Sequence, residues 1–161
     1  MNTTEPQASS STTLTTMKIH PPLLAGALLL VTLALQFMLP EEHTVGWEEF
    51  IGLLFVAAGV GVMCFAAAIF SARDTTKNPQ GEPTAFVVQP PYTLTRNPMY
   101  LGLTTTLFGL AIFFGSIVML LGPAVFFAMI DRIVIPREEE TMERLFGQEY
   151  RDYTYRVRRW V

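Results

Sequence analysis

The fold is decided by the charge-free stretch from Met99 to Ile130, "MYLGLTTTLFGLAIFFGSIVMLLGPAVFFAMI". A helix needs only about 20 residues to cross the hydrocarbon core of a bilayer, so this stretch is too long for one span. The sequence FFGS, from Phe113 to Ser116, offers a turn in its middle. We therefore predict a helical hairpin, with a third transmembrane helix over 99–114 and a fourth over 117–135.

Two further apolar runs precede this hairpin, over residues 22–39 and 50–70, and neither contains a charged residue. Each has about the length of one membrane span. Small residues in the second run, including Gly59 and Gly61, permit a close approach of a neighbouring helix. Half of the 161 residues are hydrophobic and only 16% are charged. The sequence predicts an all-α integral membrane protein with about four transmembrane helices.

The polar ends of the chain complete the predicted domain. Residues 1–16 are rich in serine and threonine, which predicts a disordered tail before a single domain over 17–161. After Pro136, arginines alternate with apolar residues at three- and four-residue steps, with Gly147 as a possible interruption. The apolar positions are Met142, Leu145, Phe146, Tyr150, Tyr153, Val157 and Trp160. This pattern predicts an amphipathic helix over 136–160 whose arginines contact lipid phosphates.

The basic residues predict the orientation in the membrane. With four spans, all 11 Lys and Arg residues fall on one side, and the segment between the first two spans has glutamates but no Lys or Arg. Basic loops stay in the cytoplasm, so both termini are expected to be cytoplasmic. In a prokaryote, the membrane would be the plasma or inner membrane.

Several classes of function are disfavoured by what the chain contains. The single cysteine, Cys64, and two isolated histidines, His20 and His43, predict no metal site. We find no P-loop, no Gly-rich dinucleotide motif and no nucleic-acid groove motif. A transporter would need charges within its spans, and the only candidates, Asp131 and Arg132, lie near a helix end. A membrane enzyme and a non-catalytic scaffold or binding protein remain.

Two polar clusters lie at the expected cytoplasmic ends of adjacent helices. The first is YTLTRNPMYLG, from Tyr92 to Gly102, and the second is REEETME, from Arg137 to Glu143. Taken singly, each suits a helix end at the headgroup interface. Together they offer a cation, an amide, carboxylates and aromatic faces. Such a set suits a zwitterionic ligand that carries an additional positive centre.

Three motifs in order, PYTLTRNPMYLG, FGLAIFFGS and PREEETMERLFGQEYRDYTYRVRRW, resemble the isoprenylcysteine carboxyl methyltransferase/phospholipid methyltransferase superfamily of membrane enzymes. The resemblance covers roughly residues 71–160 and implies an S-adenosylmethionine-dependent methyltransferase. The chain departs from the family in having Pro90 where a glycine is usual. The residues that the resemblance assigns to the cofactor are Val87, Tyr92, Arg96, Asn97, Pro98, Met99, Tyr100, Glu138 and Glu139.

The acceptor implied by the resemblance is a lipophilic or lipid-linked molecule that reaches the site from the membrane lipids. Within this resemblance, the residues of the motifs favour a carboxylate acceptor. Phospholipid N-methylation and thiol S-methylation are the alternatives. Methyl transfer from a sulfonium requires alignment above all. Arg132 and Tyr100 are the predicted catalytic residues: Arg132 to orient an acidic head group, and Tyr100 to face the sulfonium or serve as a base. Either Arg96 or Arg132 could instead bind the cofactor carboxylate.

Overall fold

The computed structural model describes residues 19–39, 46–73 and 88–161. The predicted disordered tail and Val87 lie outside the described residues. All regular structure in the described ranges is helical, which confirms the predicted fold class. The helices are α1 Pro21–Met38, α2 Trp47–Arg73, α3 Pro98–Phe113, α4 Leu121–Met129 and α5 Ile135–Arg156.

Within the described residues, three stretches of helix are long and apolar enough to cross a membrane. They are α1, the Trp47–Ile69 part of α2, and the helical run Val118–Arg156 that contains α4 and α5. Helix α3 is also apolar but has only 16 residues. The helices overlap the apolar runs of the sequence, and α2 extends beyond both ends of the run over 50–70.

The turn between α3 and α4 lies at the predicted FFGS break. Gly115 has a φ of 59°, a left-handed conformation that glycine adopts without steric cost. The buried Ser116 then accepts a hydrogen bond on Oγ from the backbone N–H of Met119, at 3.2 Å, which begins the next helical segment. The turn folds the long apolar stretch into the predicted hairpin.

Helices α2 and α3 pack with their backbones in contact. A Cβ atom on Gly59 would lie 2.5 Å from the carbonyl oxygen of Gly102, and one on Gly109 would lie 2.8 Å from that of Gly52. Such distances are too short for any side chain. By contrast, a Cβ atom on Gly61 would have no neighbouring atom within 4 Å. The prediction of close approach therefore applies to Gly59 and not to Gly61.

The fourth span and the C-terminal helix form one continuous helical run. A π-helical segment, Ile130–Val134, joins α4 to α5, and Pro136 lies in the first turn of α5. Proline lacks an N–H group, and a wider π-turn at this point lets the helix continue without the bond that proline cannot make. Gly147 interrupts α5 with a non-helical φ of 53°. The helix ends at Arg156, four residues before the predicted end.

A small core of buried apolar residues holds the helices together. Phe126, Ile130 and Ile135 are completely buried against Leu107 of α3 and Ala25 of α1. Partly buried residues around this core include Tyr100, which is a predicted catalytic residue, and Trp160 near the C-terminus. The core therefore fixes the start of α3 beside the start of α5, where both polar clusters of the sequence lie.

Candidate cofactor site

The segment before α3 is bound to the C-terminal end of the chain. The buried Thr95 donates from Oγ to the backbone carbonyl of Arg159 at 3.0 Å, and Asn97 donates from Nδ2 to the same carbonyl at 3.0 Å. The backbone N–H of Arg96 donates to the carbonyl of Arg158 at 2.9 Å. These three bonds hold the segment in place and so fix the position of the backbone from which the Arg96 side chain extends.

Four charged side chains of alternating sign form a connected group, which we call the charge cluster: Asp131, Arg159, Glu139 and Arg96. Arg159 donates to both carboxylate oxygens of Glu139, at 3.2 and 2.7 Å, and to Asp131 at 3.2 Å. Arg96 contacts the same Glu139 carboxylate at 3.1 Å. The side chains of Arg96 and Glu139 are only 16% and 22% exposed, so water screens their attraction less than at the surface.

A second polar contact joins α3 to α5 next to the charge cluster. The Tyr100 hydroxyl donates to Oε1 of Glu138 at 2.7 Å. Tyr100 lies in the first turn of α3 and Glu138 in the first turn of α5. Tyr100 and Glu138 are 38 residues apart in the chain. The two sequence motifs therefore meet through two neighbouring carboxylates, Glu138 and Glu139.

Two tyrosines tie the turn before α3 to the rest of the site. Tyr153 is buried, and its hydroxyl donates to the backbone carbonyl of Tyr92 at 2.6 Å. Burial raises the pKa of Tyr153 to about 12, so its hydroxyl keeps the donated proton at neutral pH. The Tyr92 hydroxyl lies 3.5 Å from the carbonyl oxygen of Ala66 in α2. Burial also raises the pKa of Tyr92.

The structure brings most of the predicted cofactor residues together. Tyr92, Arg96, Asn97, Tyr100, Glu138 and Glu139 all take part in the contacts described above. Pro98 is buried at the first position of α3, whereas Met99 beside it is 39% exposed. Arg132 is exposed and follows Asp131 directly, and its positive charge interacts with that carboxylate. The individual roles of these residues stay predictions.

Sequence reasoning missed the C-terminal contribution to this site. We predicted that the last arginines face lipid phosphates, but Arg159 points into the charge cluster. Trp160 donates from its indole N–H to Asp131 at 2.9 Å, and its ring lies 4.6 Å from that of Phe127. Asp131 was the sequence signal that could have indicated these contacts, because an acid beside an apolar stretch needs a partner.

The fold and the site define an all-α membrane protein with a partly buried, charged site at one end of its helices. The family model described as phospholipid methyltransferase matches residues 47–149, and the chain belongs to this family. The family is part of the isoprenylcysteine carboxyl methyltransferase-like superfamily, which confirms the resemblance seen in the motifs.

One similar protein comes from Haemophilus influenzae and is described as an uncharacterized protein. It is 40% identical over 63 residues, which are 39% of this chain and the whole of that relative. No solved structure matches the chain. Family membership therefore indicates a membrane methyltransferase and leaves the methyl donor and the acceptor to be inferred from the site.

Proposed function

We propose that this protein transfers a methyl group from S-adenosylmethionine to a lipophilic acceptor at the membrane surface. The observation that carries the proposal is the junction of the two motifs: Arg96 with Glu139, and Tyr100 with Glu138. The junction gathers a guanidinium, two carboxylates and an aromatic ring on the starts of two adjacent helices. Family membership supports methyl transfer as the chemistry.

The residues present fit the groups of this cofactor. Nε of Arg96 is buried and has no hydrogen-bond acceptor among the described residues. A buried donor without an acceptor is costly, so an incoming carboxylate would relieve that cost. Glu138 offers negative charge to an ammonium group, and the rings of Tyr92 and Tyr100 offer faces that attract a sulfonium. We assign these residues to the cofactor.

When bound, S-adenosylmethionine supplies a methyl group activated by a positive sulfur. The protein's contribution is orientation, because displacement at a methyl carbon requires the acceptor in line with the bond that breaks. The Tyr100–Glu138 hydrogen bond restricts the Tyr100 ring, and the contact of the Tyr92 hydroxyl with the carbonyl oxygen of Ala66 restricts the Tyr92 ring. Rings that are already fixed lose little freedom when the cofactor binds.

An apolar cavity among the helices suits the hydrocarbon chain of the acceptor. It has a volume of about 440 Å³ and lies between α2, α3 and α4. Its lining residues are Phe55, Thr104, Thr105, Phe108, Leu120, Pro123, Ala124 and Phe127. The ring of Phe127, which lines the cavity, lies 4.6 Å from that of Trp160, whose indole N–H donates to Asp131, so a chain of contacts links the cavity to the charge cluster. A lipid tail could stay in this cavity while its head group reaches the cofactor.

The first acceptor that we propose is a carboxylate on such a lipophilic molecule. Arg132 lies in the π-helical segment Ile130–Val134, and its side chain is exposed. Its guanidinium can therefore bind a carboxylate in a two-pronged contact. Transfer joins a carboxylate oxygen to the methyl carbon as the sulfur–carbon bond breaks, which leaves a neutral ester and a neutral thioether.

A phospholipid amine is the second candidate, because the family description names phospholipids. An ammonium group must lose a proton before it can attack a methyl carbon. Glu138 and Tyr100, which share a 2.7 Å hydrogen bond, form the pair that would accept that proton. This alternative uses the same cofactor residues and does not require Arg132.

Incubation of membranes that contain the protein with methyl-labelled S-adenosylmethionine separates these functions. A labelled lipid that releases volatile methanol in base is the ester expected for a carboxylate acceptor. Label in mono- and dimethylated phosphatidylethanolamine would establish the amine instead. The Arg132→Gln variant should lose ester formation, and Arg156→Gln, which removes an exposed arginine elsewhere, serves as the control. Absence of transfer to any lipid by folded protein would contradict the proposed function.

A further inference from the structure

Residues 157–161, which follow α5, are not helical, and we call this segment the C-terminal strap. We propose that Arg159 on this strap is a positioning residue, which holds Glu139 and through it Arg96 in the geometry that binds the cofactor. The inference rests on the proposed function. Arg159 itself lies beyond the range 47–149 matched by the family model, whereas Glu139 and Arg96 lie within it.

The strap leaves the helix abruptly and returns to the site. Val157 is buried and extended, with φ of −121° and ψ of 128°, so the chain turns away from the axis of α5. The backbone carbonyls of Arg158 and Arg159 then accept three hydrogen bonds from Thr95, Arg96 and Asn97. These bonds fix the strap against the motif that precedes α3.

Arg159 is placed to orient the Glu139 carboxylate. Its guanidinium donates to both oxygens of that carboxylate, a two-pronged contact that fixes the plane of the acceptor as well as its position. Oε1 of Glu139 also forms an ion pair with Nη1 of Arg96, at 3.1 Å. A carboxylate that Arg159 did not hold would be free to rotate, and the Arg96 guanidinium would move with it.

The remaining contacts show that Arg159 is a fixed part of the site and not a cation that the cofactor displaces. Its third contact is to Asp131, which also accepts the indole N–H of Trp160. Displacing Arg159 would leave the partly buried Asp131 carboxylate without its cationic partner, which is costly. The charge cluster thus alternates in sign and ends at Arg96, whose buried Nε has no acceptor among the described residues.

The test is equilibrium binding of labelled S-adenosylmethionine to the purified full chain. We expect Arg159→Gln to weaken binding by about tenfold to a hundredfold, because hydrogen bonds to a charged group are lost. Asp131→Asn should weaken binding in the same direction and by less. Arg156→Gln removes the same charge one residue before the strap, from an exposed side chain, and should bind like the wild-type protein.

Rescue with free guanidinium ion separates positioning from a general effect on folding. In an Arg159→Ala variant, millimolar guanidinium should restore binding in a saturable way, because it can occupy the space beside Glu139. Failure of rescue would assign Arg159 a purely structural role, and tighter binding by Arg159→Gln would make it a competitor; either result overturns the inference. A wild-type protein that does not bind S-adenosylmethionine contradicts the proposed function itself.

Discussion

Two of the contacts that α3 makes with other elements are built in opposite ways. Against α2, contact depends on missing side chains: Gly59 and Gly102 let the two backbones touch within the membrane. At its start, α3 meets α5 and the C-terminal strap through charged and hydroxyl groups, among them Arg96, Glu139 and Tyr100. One interface is determined by shape alone and the other by paired charges.

The difference follows from what surrounds each interface. Lipid tails are as apolar as leucine, so helices in a bilayer gain little from burying apolar groups and instead gain from close packing of backbones. At the membrane surface, charges can be paired and partly shielded from water, which makes an ion pair specific in geometry. We therefore expect the glycine interface to stabilise the fold, whereas we propose that the charge cluster forms part of a binding site. The following predictions test this division of roles.

The largest expected effect is the all-or-none labelling of the two ends of the fold. In a Cys64→Ser background, a cysteine at position 47 should react with an impermeant reagent added outside intact cells, and one at position 155 should not. Trp47 and Tyr155 are 72% and 87% exposed, so access to the reagent depends on the side of the membrane. Labelling at position 155 from outside would contradict cytoplasmic termini.

Arg96→Ala should weaken binding of S-adenosylmethionine by about 2–5 kcal/mol, which is at least thirtyfold. The variant loses the cation at the end of the charge cluster and leaves Glu139 with Arg159 alone. Arg151→Ala is the matched control, because its ion pair with Glu143 lies where both side chains are about half exposed. Binding should be measured by titration, and equal affinities for the two variants would place the site elsewhere.

Gly59→Ala should lower the free energy of unfolding by about 1–3 kcal/mol, because the added methyl group meets the backbone of α3. Gly61→Ala lies two residues away and has no atom within 4 Å of the new group, so it should be neutral or slightly stabilising. Unfolding in mixed detergent micelles measures both. If the two variants lost equal stability, the glycine contact would not be what holds α2 to α3.

The smallest effect is expected at the edge of the site. Tyr153→Phe removes one hydrogen bond to the carbonyl of Tyr92 and should cost about 0.5–1.5 kcal/mol of folding stability. Tyr155→Phe is the control, because that side chain is 87% exposed. Thermal unfolding of the purified proteins compares them. A loss at Tyr155 as large as that at Tyr153 would show that the buried bond contributes nothing specific.

Much of the fold could be predicted from the sequence because the membrane imposes local rules. Length and apolar character located the spans, and the FFGS turn located the hairpin, since both depend on residues that are close together in the chain. The two polar motifs also identified Arg96, Tyr100, Glu138 and Glu139 as neighbours. Their contacts in the structure agree with this placement, while their roles in catalysis remain predictions.

The conformation of the C-terminal strap depends on the tertiary structure alone. The spacing of Tyr150, Tyr153, Val157 and Trp160 suits a helix, so periodicity extended the predicted helix to residue 160. The helix ends at Arg156 instead, because Arg159 forms ion pairs with Glu139 and Asp131. These two acids lie 20 and 28 residues away in the chain. Sequence patterns report the preferences of neighbouring residues, but the balance between a further helical turn and distant ion pairs depends on which charges the folded helices bring together.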